Sequence, residues 1–372
     1  MRTVAFASLL ALSPIVNAEN VPYAADSKHG AVVFAEQQCV SCHASFGGAN
    51  SPMDLSRRLD RSYTPAALTS LMWNHAPVMW SVMARQGIAV PKLSESDAAD
   101  LFAYFYASHF FEKPGEAERG KALFTAKHCA SCHALSAGGS SVGPPVAEWK
   151  ALTDPTTLIA RMFDHASQMS KAMERRNIPW PELTAQDMTD LLVYLQNLPQ
   201  TRTQTLQFEM PAPQGGAALL REKGCENCHT DQRALERLVG DSTLTDVAAA
   251  MWNHAPLMVK SPATAPAQVS DAEMRTILSY IWARQFFSPN GDAARGQKVF
   301  ESQKCGSCHN NQSSGAPALT RAGTPFSTVR MVSILWAHGP AMLAKMKDRN
   351  ISWPRLSPND MSNLIAYLNT RQ

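Results

Sequence analysis

The sequence has little that would indicate a membrane-spanning, nucleic-acid-binding or hydrolytic protein. Its formal net charge is only +3, and it contains no basic run or charged tail that would suggest a nucleic-acid partner. Beyond the amino terminus, no segment is apolar over the ~20 residues that a membrane helix needs. We find no G-x-S-x-G elbow, phosphate-binding loop or flavin fingerprint. These absences predict a soluble chain whose chemistry does not come from those motifs.

The apolar run near the amino terminus is short and has the features of an export signal. Arg2 supplies the positive start, residues 4–12 are apolar, and residues 16–18 read Val-Asn-Ala, which resembles a small-residue cleavage site. Since no cysteine follows closely, we expect no lipid anchor there. We therefore expect a signal peptide at residues 1–18 and a mature chain, starting near Glu19, that is periplasmic or otherwise exported.

Cysteine is missing outside one repeated motif, because all eight cysteines lie in four copies of C-x-x-C-H. This is the attachment signature of c-type haem. Positions i, i+3 and i+4 of a helical turn share one face. Two thiols can therefore reach the two vinyl groups of one porphyrin while the imidazole reaches its iron. The cysteines predicted to bond haem covalently are Cys39, Cys42, Cys129, Cys132, Cys225, Cys228, Cys305 and Cys308.

Disulfide bonds and zinc sites are the alternatives for this number of cysteines. Neither explains why a histidine directly follows every second cysteine. The motif therefore predicts four haem c groups, each containing iron. The predicted proximal iron ligands are His43, His133, His229 and His309.

The four motifs occupy the same place in a repeated unit of about 90 residues. A glycine stands nine residues before each first cysteine, and a large apolar residue stands five before it, which predicts an amphipathic leading helix. A closing helix carries a tyrosine near its end, and Ser or Thr three residues before Asp marks its start at Ser94, Thr184 and Ser357. A glycine permits a close helix crossing that aromatic rings can fix. The glycines are Gly30, Gly120, Gly216 and Gly296, and the tyrosines are Tyr104, Tyr194, Tyr280 and Tyr367.

This order of features resembles the small monohaem cytochrome c domain: a glycine-aromatic helix leading into C-x-x-C-H, a methionine-bearing middle and a closing Leu-x-x-Tyr-Leu helix. The resemblance covers nearly the whole mature chain, four times over. It implies an all-α fold wrapped around each haem. We expect cytochrome c-like units 1 to 4 at residues 19–112, 113–200, 214–287 and 288–372, with a linker at 201–213.

A second level of repetition relates alternate units. Units 1 and 3 share Met-Trp-Asn-His-Ala-Pro, at residues 72–77 and 251–256. Units 2 and 4 share Arg-Asn-Ile followed by Trp-Pro, at residues 176–181 and 349–354. The chain therefore looks like a duplicated dihaem unit, and the short connections predict that units 1 and 2, and units 3 and 4, are closely docked. The tryptophans that precede the middle histidines are expected to line haem pockets.

The sixth iron ligand has two candidates in every unit. A second histidine recurs after each motif, and a methionine follows it by four residues, so both lie on one helical face. Domain size and order resemble cytochromes with His/Met iron, so we favour methionine and retain bis-histidine as the alternative. Methionine would raise the reduction potential relative to a second imidazole. The candidates are Met79, Met169, Met258 and Met342, against His75, His165, His254 and His338.

The expected function is electron transfer and not enzymatic catalysis. The chain would carry single electrons between redox partner proteins that act as donor and acceptor, without nucleic acid and without a membrane span. A membrane oxidoreductase is a further candidate partner. One alternative is a haem enzyme acting on peroxide or a small sulfur or nitrogen compound at one open-site haem. Another is the cytochrome subunit of a larger oxidoreductase or conducting filament.

Overall fold

The computed structural model of the chain confirms the all-α fold class. It describes residues 23, 25–43, 64–108, 115–139, 142–149, 155–201, 209–230, 235, 244–260, 268–287, 291–310, 312–320 and 325–371. Within these ranges the regular structure is helical and contains no strand. None of the helices described is both long and apolar enough to cross a bilayer. The predicted signal peptide lies outside the described residues.

Each unit contributes a leading, a middle and a closing helix. In unit 1 these are α1 (Ser27–Glu36), α2 (Pro65–Gln86) and α3 (Glu95–Ser108), and in unit 2 they are α4 (Ala117–Ala126), α5 (Pro155–Glu174) and α6 (Ala185–Gln196). In unit 3 they are α7 (Gly216–Glu222), α8 (Leu244–Lys260) and α9 (Asp271–Phe286), and in unit 4 they are α10 (Ala293–Ser302), α11 (Thr328–Asp348) and α12 (Pro358–Leu368). Each C-x-x-C-H motif forms a short helical turn directly after the leading helix.

The closing helices begin where the sequence predicts. The backbone N–H of Asp187 donates to Thr184 Oγ1 over 3.1 Å, and the N–H of Thr184 donates back to the Asp187 carboxylate over 3.0 Å. Ser357 and Asp360 form the same reciprocal cap. Such caps satisfy backbone donors that a helix start leaves without partners, which fixes the first turn.

The leading and closing helices cross in direct contact at the predicted glycines. A Cβ placed on Gly120 would collide with the carbonyl oxygen of Asp190 and lie 2.7 Å from Tyr194 Cβ. Gly30 meets Asp100 and Tyr104 in the same way. Ring pairs then fill the crossing, with centroids 6.0 Å apart for Phe124–Tyr194, 5.5 Å for Phe34–Tyr104 and 5.4 Å for Phe300–Tyr367. The glycine and tyrosine predictions are confirmed.

Among the helices described, the extensive contacts between units run between the two halves of the chain. The middle helix α2 of unit 1 packs against α11 and α12 of unit 4, and α3 packs against α11. The middle helix α5 of unit 2 packs against α8 and α9 of unit 3, and α6 packs against α8. The closely docked pairs are therefore units 1 and 4 and units 2 and 3. The expectation drawn from the short connections, units 1 with 2 and 3 with 4, is corrected.

Units 1 and 3 touch through equivalent side chains. Tyr106 and Trp282 each lie two residues after the closing-helix tyrosine of their unit, and their ring centroids are 5.0 Å apart. Contact between equivalent positions is what a two-fold relation produces. A two-fold relation that exchanges unit 1 with unit 3, and unit 2 with unit 4, also converts the contact of units 1 and 4 into the contact of units 3 and 2.

The contact between units 1 and 4 is made by the two shared sequence motifs. Trp73 Nε1 donates to the carbonyl oxygen of Pro354 over 2.9 Å, and Trp353 Nε1 donates to that of Trp73 over 3.0 Å. The two indole rings pack against each other with centroids 5.1 Å apart and their planes tilted by 32°. Asn74 Nδ2 donates to the Leu356 carbonyl over 2.7 Å, and the Leu356 N–H donates back to Asn74 Oδ1 over 3.0 Å.

Units 2 and 3 repeat these bonds one for one. Trp252 Nε1 donates to the Pro181 carbonyl over 2.7 Å, and Trp180 Nε1 donates to that of Trp252 over 3.0 Å, with ring centroids 4.4 Å apart. Asn253 and Leu183 exchange two hydrogen bonds of 2.9 Å. The Trp-Asn motif and the Trp-Pro motif are therefore complementary halves of one contact, which we call the tryptophan interlock. Trp73 and Trp252, which the sequence leads us to expect in haem pockets, make these contacts between units.

Unit 1 has a histidine where unit 2 has an arginine, and this predicts a pH-dependent stability. His29 Nδ1 lies 2.7 Å from the buried Asp100 carboxylate, whereas Arg119 pairs with Asp190. The hydrogen bond to Asp100 raises the pKa of His29 above its ordinary value. A raised histidine pKa stabilises the fold fully below the unfolded-state value of about 6.5, and this contribution is lost as pH rises through the folded-state pKa.

We therefore expect His29→Arg to make the melting temperature less dependent on pH above about pH 6.5. Circular dichroism melts between acidic and mildly alkaline pH would measure it. The control is His128→Asn, at an exposed histidine, which should keep the wild-type dependence. Identical pH profiles for wild type and His29→Arg would contradict the pairing.

Candidate haem-binding sites

A repeated backbone turn presents each C-x-x-C-H motif to the middle helix of its unit. The residue before the first cysteine is left-handed in all four units, with φ of 59° at Gln38, 62° at His128 and 73° at Gly224 in units 1 to 3. In unit 4 the corresponding residue is Lys304, with φ of 57°. This conformation costs energy for residues other than glycine, and such strain is concentrated at functional sites. The turn then closes with a hydrogen bond from each histidine N–H to the first cysteine carbonyl.

The motif histidine faces the middle-helix histidine in all four units. Ring centroids are 6.3 Å apart in unit 1 and 6.2 Å apart in the others, with interplanar angles of 64°, 60°, 64° and 67°. A metal–imidazole bond is about 2 Å long, so two imidazoles on opposite sides of one metal have centroids about 6 Å apart. The spacing fits one haem iron between the rings. The pairs are His43 with His75, His133 with His165, His229 with His254, and His309 with His338.

A carbonyl oxygen orients the motif histidine in units 2 and 4. His133 Nδ1 lies 3.0 Å from the Pro144 carbonyl oxygen, and His309 Nδ1 lies 2.8 Å from that of Pro317. An N–H on Nδ1 donates to the carbonyl, which leaves the Nε2 lone pair for a metal. In unit 2 the chain also passes close by, because a Cβ on Gly143 would lie 2.5 Å from His133 Cε1.

Sequence reasoning missed these carbonyl partners. Their signal is a glycine followed within two residues by proline, in Gly143-Pro144 and in Gly315-Ala316-Pro317, shortly after the motif. Only the backbone oxygen takes part, and any residue could supply it. The residue type therefore carries little information about the contact.

Three of the middle-helix histidines are held neutral by their surroundings. Burial, with a smaller contribution from His133, lowers the pKa of His165 below its ordinary value. Burial lowers the pKa of His254 and His338 as well, again helped by the motif histidine opposite. A neutral imidazole has the lone pair that a metal needs. The environment thus favours the ligating form.

The methionines lie one helical turn beyond these histidines. Met79 packs against the apolar cluster that includes Phe34 and Trp80, and Met169 packs against the cluster that includes Phe124 and Leu192. The other two candidates, Met258 and Met342, are half-buried on α8 and α11. The ring pairs favour the histidine alternative over the methionines that the sequence favoured.

The cysteines are positioned asymmetrically in each motif. The structure pairs none of the eight in a disulfide. The first cysteine of each motif packs against an apolar cluster, and burial raises the pKa of Cys39, Cys129 and Cys305 to about 11 and also raises that of Cys225. The first thiol of each motif is therefore protonated at neutral pH. The apolar setting of the first sulfur suits the edge of a porphyrin.

Two segments of the chain match a known protein family. Residues 117–199 and residues 293–372 each match the family model of cytochrome c. These segments contain units 2 and 4 as defined by their helices. Comparisons with curated proteins and with solved structures find no match.

The two matched segments, with their C-x-x-C-H turns and facing histidines, define the class of the molecule. It is a haem-binding electron-transfer protein whose cofactor is covalent haem c with its iron. Redox proteins are the partners that this class implies. Units 1 and 3 lie outside the matched segments, but they have the same crossing of leading and closing helices and the same histidine pair.

Proposed function

We propose that this chain is a tetrahaem c-type cytochrome that carries single electrons between a donor and an acceptor redox protein. One observation carries the proposal: the facing histidine pair recurs in all four units at 6.2 or 6.3 Å. It supports units 1 and 3 as haem sites equivalent to the two matched segments. Haem iron, when bound, supplies the one-electron ferric–ferrous couple.

Both axial ligands are histidines in this proposal. The proximal ligands are His43, His133, His229 and His309, and the distal ligands are His75, His165, His254 and His338. Two imidazoles give a lower potential than a histidine–methionine pair. With both axial positions filled by the protein, the chain itself excludes small ligands, which supports electron transfer and not catalysis on peroxide or on sulfur or nitrogen compounds.

The chain enters its compartment through the signal at residues 1–18 and acts in the periplasm or an equivalent exported location. The domain boundaries follow the repeat, with units at 19–112, 113–200, 214–287 and 288–372 joined by the linker at 201–213. The equivalent contacts of Tyr106 and Trp282 and the two tryptophan interlocks support an origin by duplication of a dihaem unit.

Expression of the full chain in an exporting host that matures c-type cytochromes tests the proposal. We expect the mass of the mature holoprotein to equal the chain from about residue 19 plus four haems. The dithionite-reduced protein should not bind carbon monoxide. A mass showing only two haems would contradict the tetrahaem assignment. Carbon monoxide binding in native protein would contradict bis-histidine closure and favour the enzymatic alternative.

A further inference from the structure

Each proposed distal histidine has a chain neighbour that contacts a unit in the other half of the chain. In unit 1, Asn74 precedes His75 and exchanges two hydrogen bonds with Leu356 of unit 4. In unit 2, Asp164 precedes His165 and its carboxylate accepts the Val269 N–H of unit 3 over 3.0 Å. A position about 100° around the helix from the histidine is thus anchored directly to the partner unit.

The same holds for the other two units. In unit 3, Asn253 precedes His254 and exchanges two hydrogen bonds of 2.9 Å with Leu183 of unit 2. In unit 4, Gly339 follows His338, and a Cβ there would lie 2.7 Å from Trp80 Cζ2 of unit 1. The four proposed distal histidines therefore lie on middle helices that pack in two pairs, α2 with α11 and α5 with α8.

Apolar side chains pack between the middle helices of units 1 and 4. At the contact of units 1 and 4, Trp80 packs edge-on against Trp336 and Trp353, with ring centroids 6.2 and 5.6 Å apart. Trp80 and Trp336 are 6 % and 7 % exposed, so water is largely excluded. Charges that interact across such a medium do so more strongly than across water.

The sequence-adjacent units have no corresponding contact among the helices described. The middle helices α2 and α5 of units 1 and 2 are not an extensively packed pair, and neither are α8 and α11 of units 3 and 4. The extensive contacts of middle helices all run between the halves. The units that are adjacent in sequence are therefore not the units whose middle helices, which carry the proposed distal ligands, pack together.

We propose that the haem of unit 1 is coupled to that of unit 4, and the haem of unit 2 to that of unit 3, across the tryptophan interlocks. This inference rests on the proposed tetrahaem function. The neighbouring residues of the distal histidines fix the partner, so electrons pass between the halves of the chain more readily than along it. Reduction of one haem then lowers the potential of its interlocked partner more than that of its sequence neighbour.

Proton NMR of the partly reduced full-length holoprotein tests the pairing. Haem methyl signals, assigned to units by nuclear Overhauser effects to neighbouring residues, report the oxidation of each haem as the others are reduced. We expect the two largest pairwise redox interactions to be 1–4 and 2–3. Largest interactions between 1 and 2 and between 3 and 4 would overturn the inference, and this measurement on native protein needs no variant.

A matched pair of double variants sharpens the test. Asn74→Ala with Trp353→Ala opens the contact of units 1 and 4, and Asn253→Ala with Trp180→Ala opens that of units 2 and 3. Each should lower only its own pairwise interaction, by about twofold or more, because water entering the contact raises the dielectric constant. Equal changes in both pairs would overturn the inference. Fewer than four sets of haem methyl signals would instead contradict the tetrahaem function itself.

Discussion

Replacement of His165 with leucine should convert one haem in the holoprotein from low-spin to high-spin. His165 faces His133 with ring centroids 6.2 Å apart, and leucine has no lone pair to occupy the sixth position. Electron paramagnetic resonance of the ferric protein would show a new high-spin signal from one haem, with three low-spin haems retained. The reduced variant should bind one carbon monoxide per chain.

The matched control is Met169→Leu, one turn further along the same helix. Because Met169 packs against an apolar cluster, leucine should fit there and leave all four haems low-spin. The opposite result, a high-spin signal in Met169→Leu and none in His165→Leu, would restore the methionine ligand that domain size and order suggested. The two variants thus decide between His165 and Met169 as the sixth ligand. Each replaces one residue of α5 with leucine, so the helix and the new side chain are the same in both.

Replacement of Gly120 with alanine should destabilise unit 2 by about 1–3 kcal/mol, which is the usual cost of inserting one carbon into a packed contact. The added Cβ would collide with the Asp190 carbonyl oxygen and lie 2.7 Å from Tyr194 Cβ. A backbone carbonyl on the crossing helix cannot rotate away as a side chain can, so α4 and α6 must separate. Denaturant unfolding followed by circular dichroism would measure the loss.

Ala122→Val is the control, because residue 122 is exposed on the same helix. It adds more volume than the glycine variant but meets no crossing helix, so its effect should stay within about 0.5 kcal/mol. Because alanine has a higher helix propensity than glycine, stabilisation by Gly120→Ala would show that helix propensity, and not the crossing, governs residue 120. Greater destabilisation by Gly120→Ala would support the same role for Gly30 and Gly296.

The fold explains why the Trp-Asn motif and the Trp-Pro motif alternate along the sequence. Met-Trp-Asn-His-Ala-Pro in units 1 and 3, and Trp-Pro in units 2 and 4, appear from sequence only as marks of a duplication. In the structure each Trp-Asn motif binds a Trp-Pro motif from the other half, through four hydrogen bonds and one stacked indole pair. A double contact between halves constrains their relative motion more than a single linker would.

The sequence by itself determined the features that depend on local spacing. C-x-x-C-H places two sulfurs and an imidazole on one face of a single turn, so the sequence alone predicts Cys129, Cys132 and His133 as a haem-binding set. The glycine nine residues earlier and the tyrosine of the closing helix likewise specify a close crossing. The first prediction depends only on residues within one turn. The second depends on a glycine whose position makes sense only if another backbone passes close to it.

The distal ligand and the pairing of units are questions on which only the tertiary structure bears. His75 and Met79 lie one turn apart on the same face of α2, so periodicity cannot separate them, and only the height of the helix above the motif brings one ring opposite His43. Pairing depends on complementary surfaces far apart in sequence, such as Asn74 and Leu356. Short connections bring consecutive units near one another, but hydrogen bonds and stacked rings between distant residues determine which units dock.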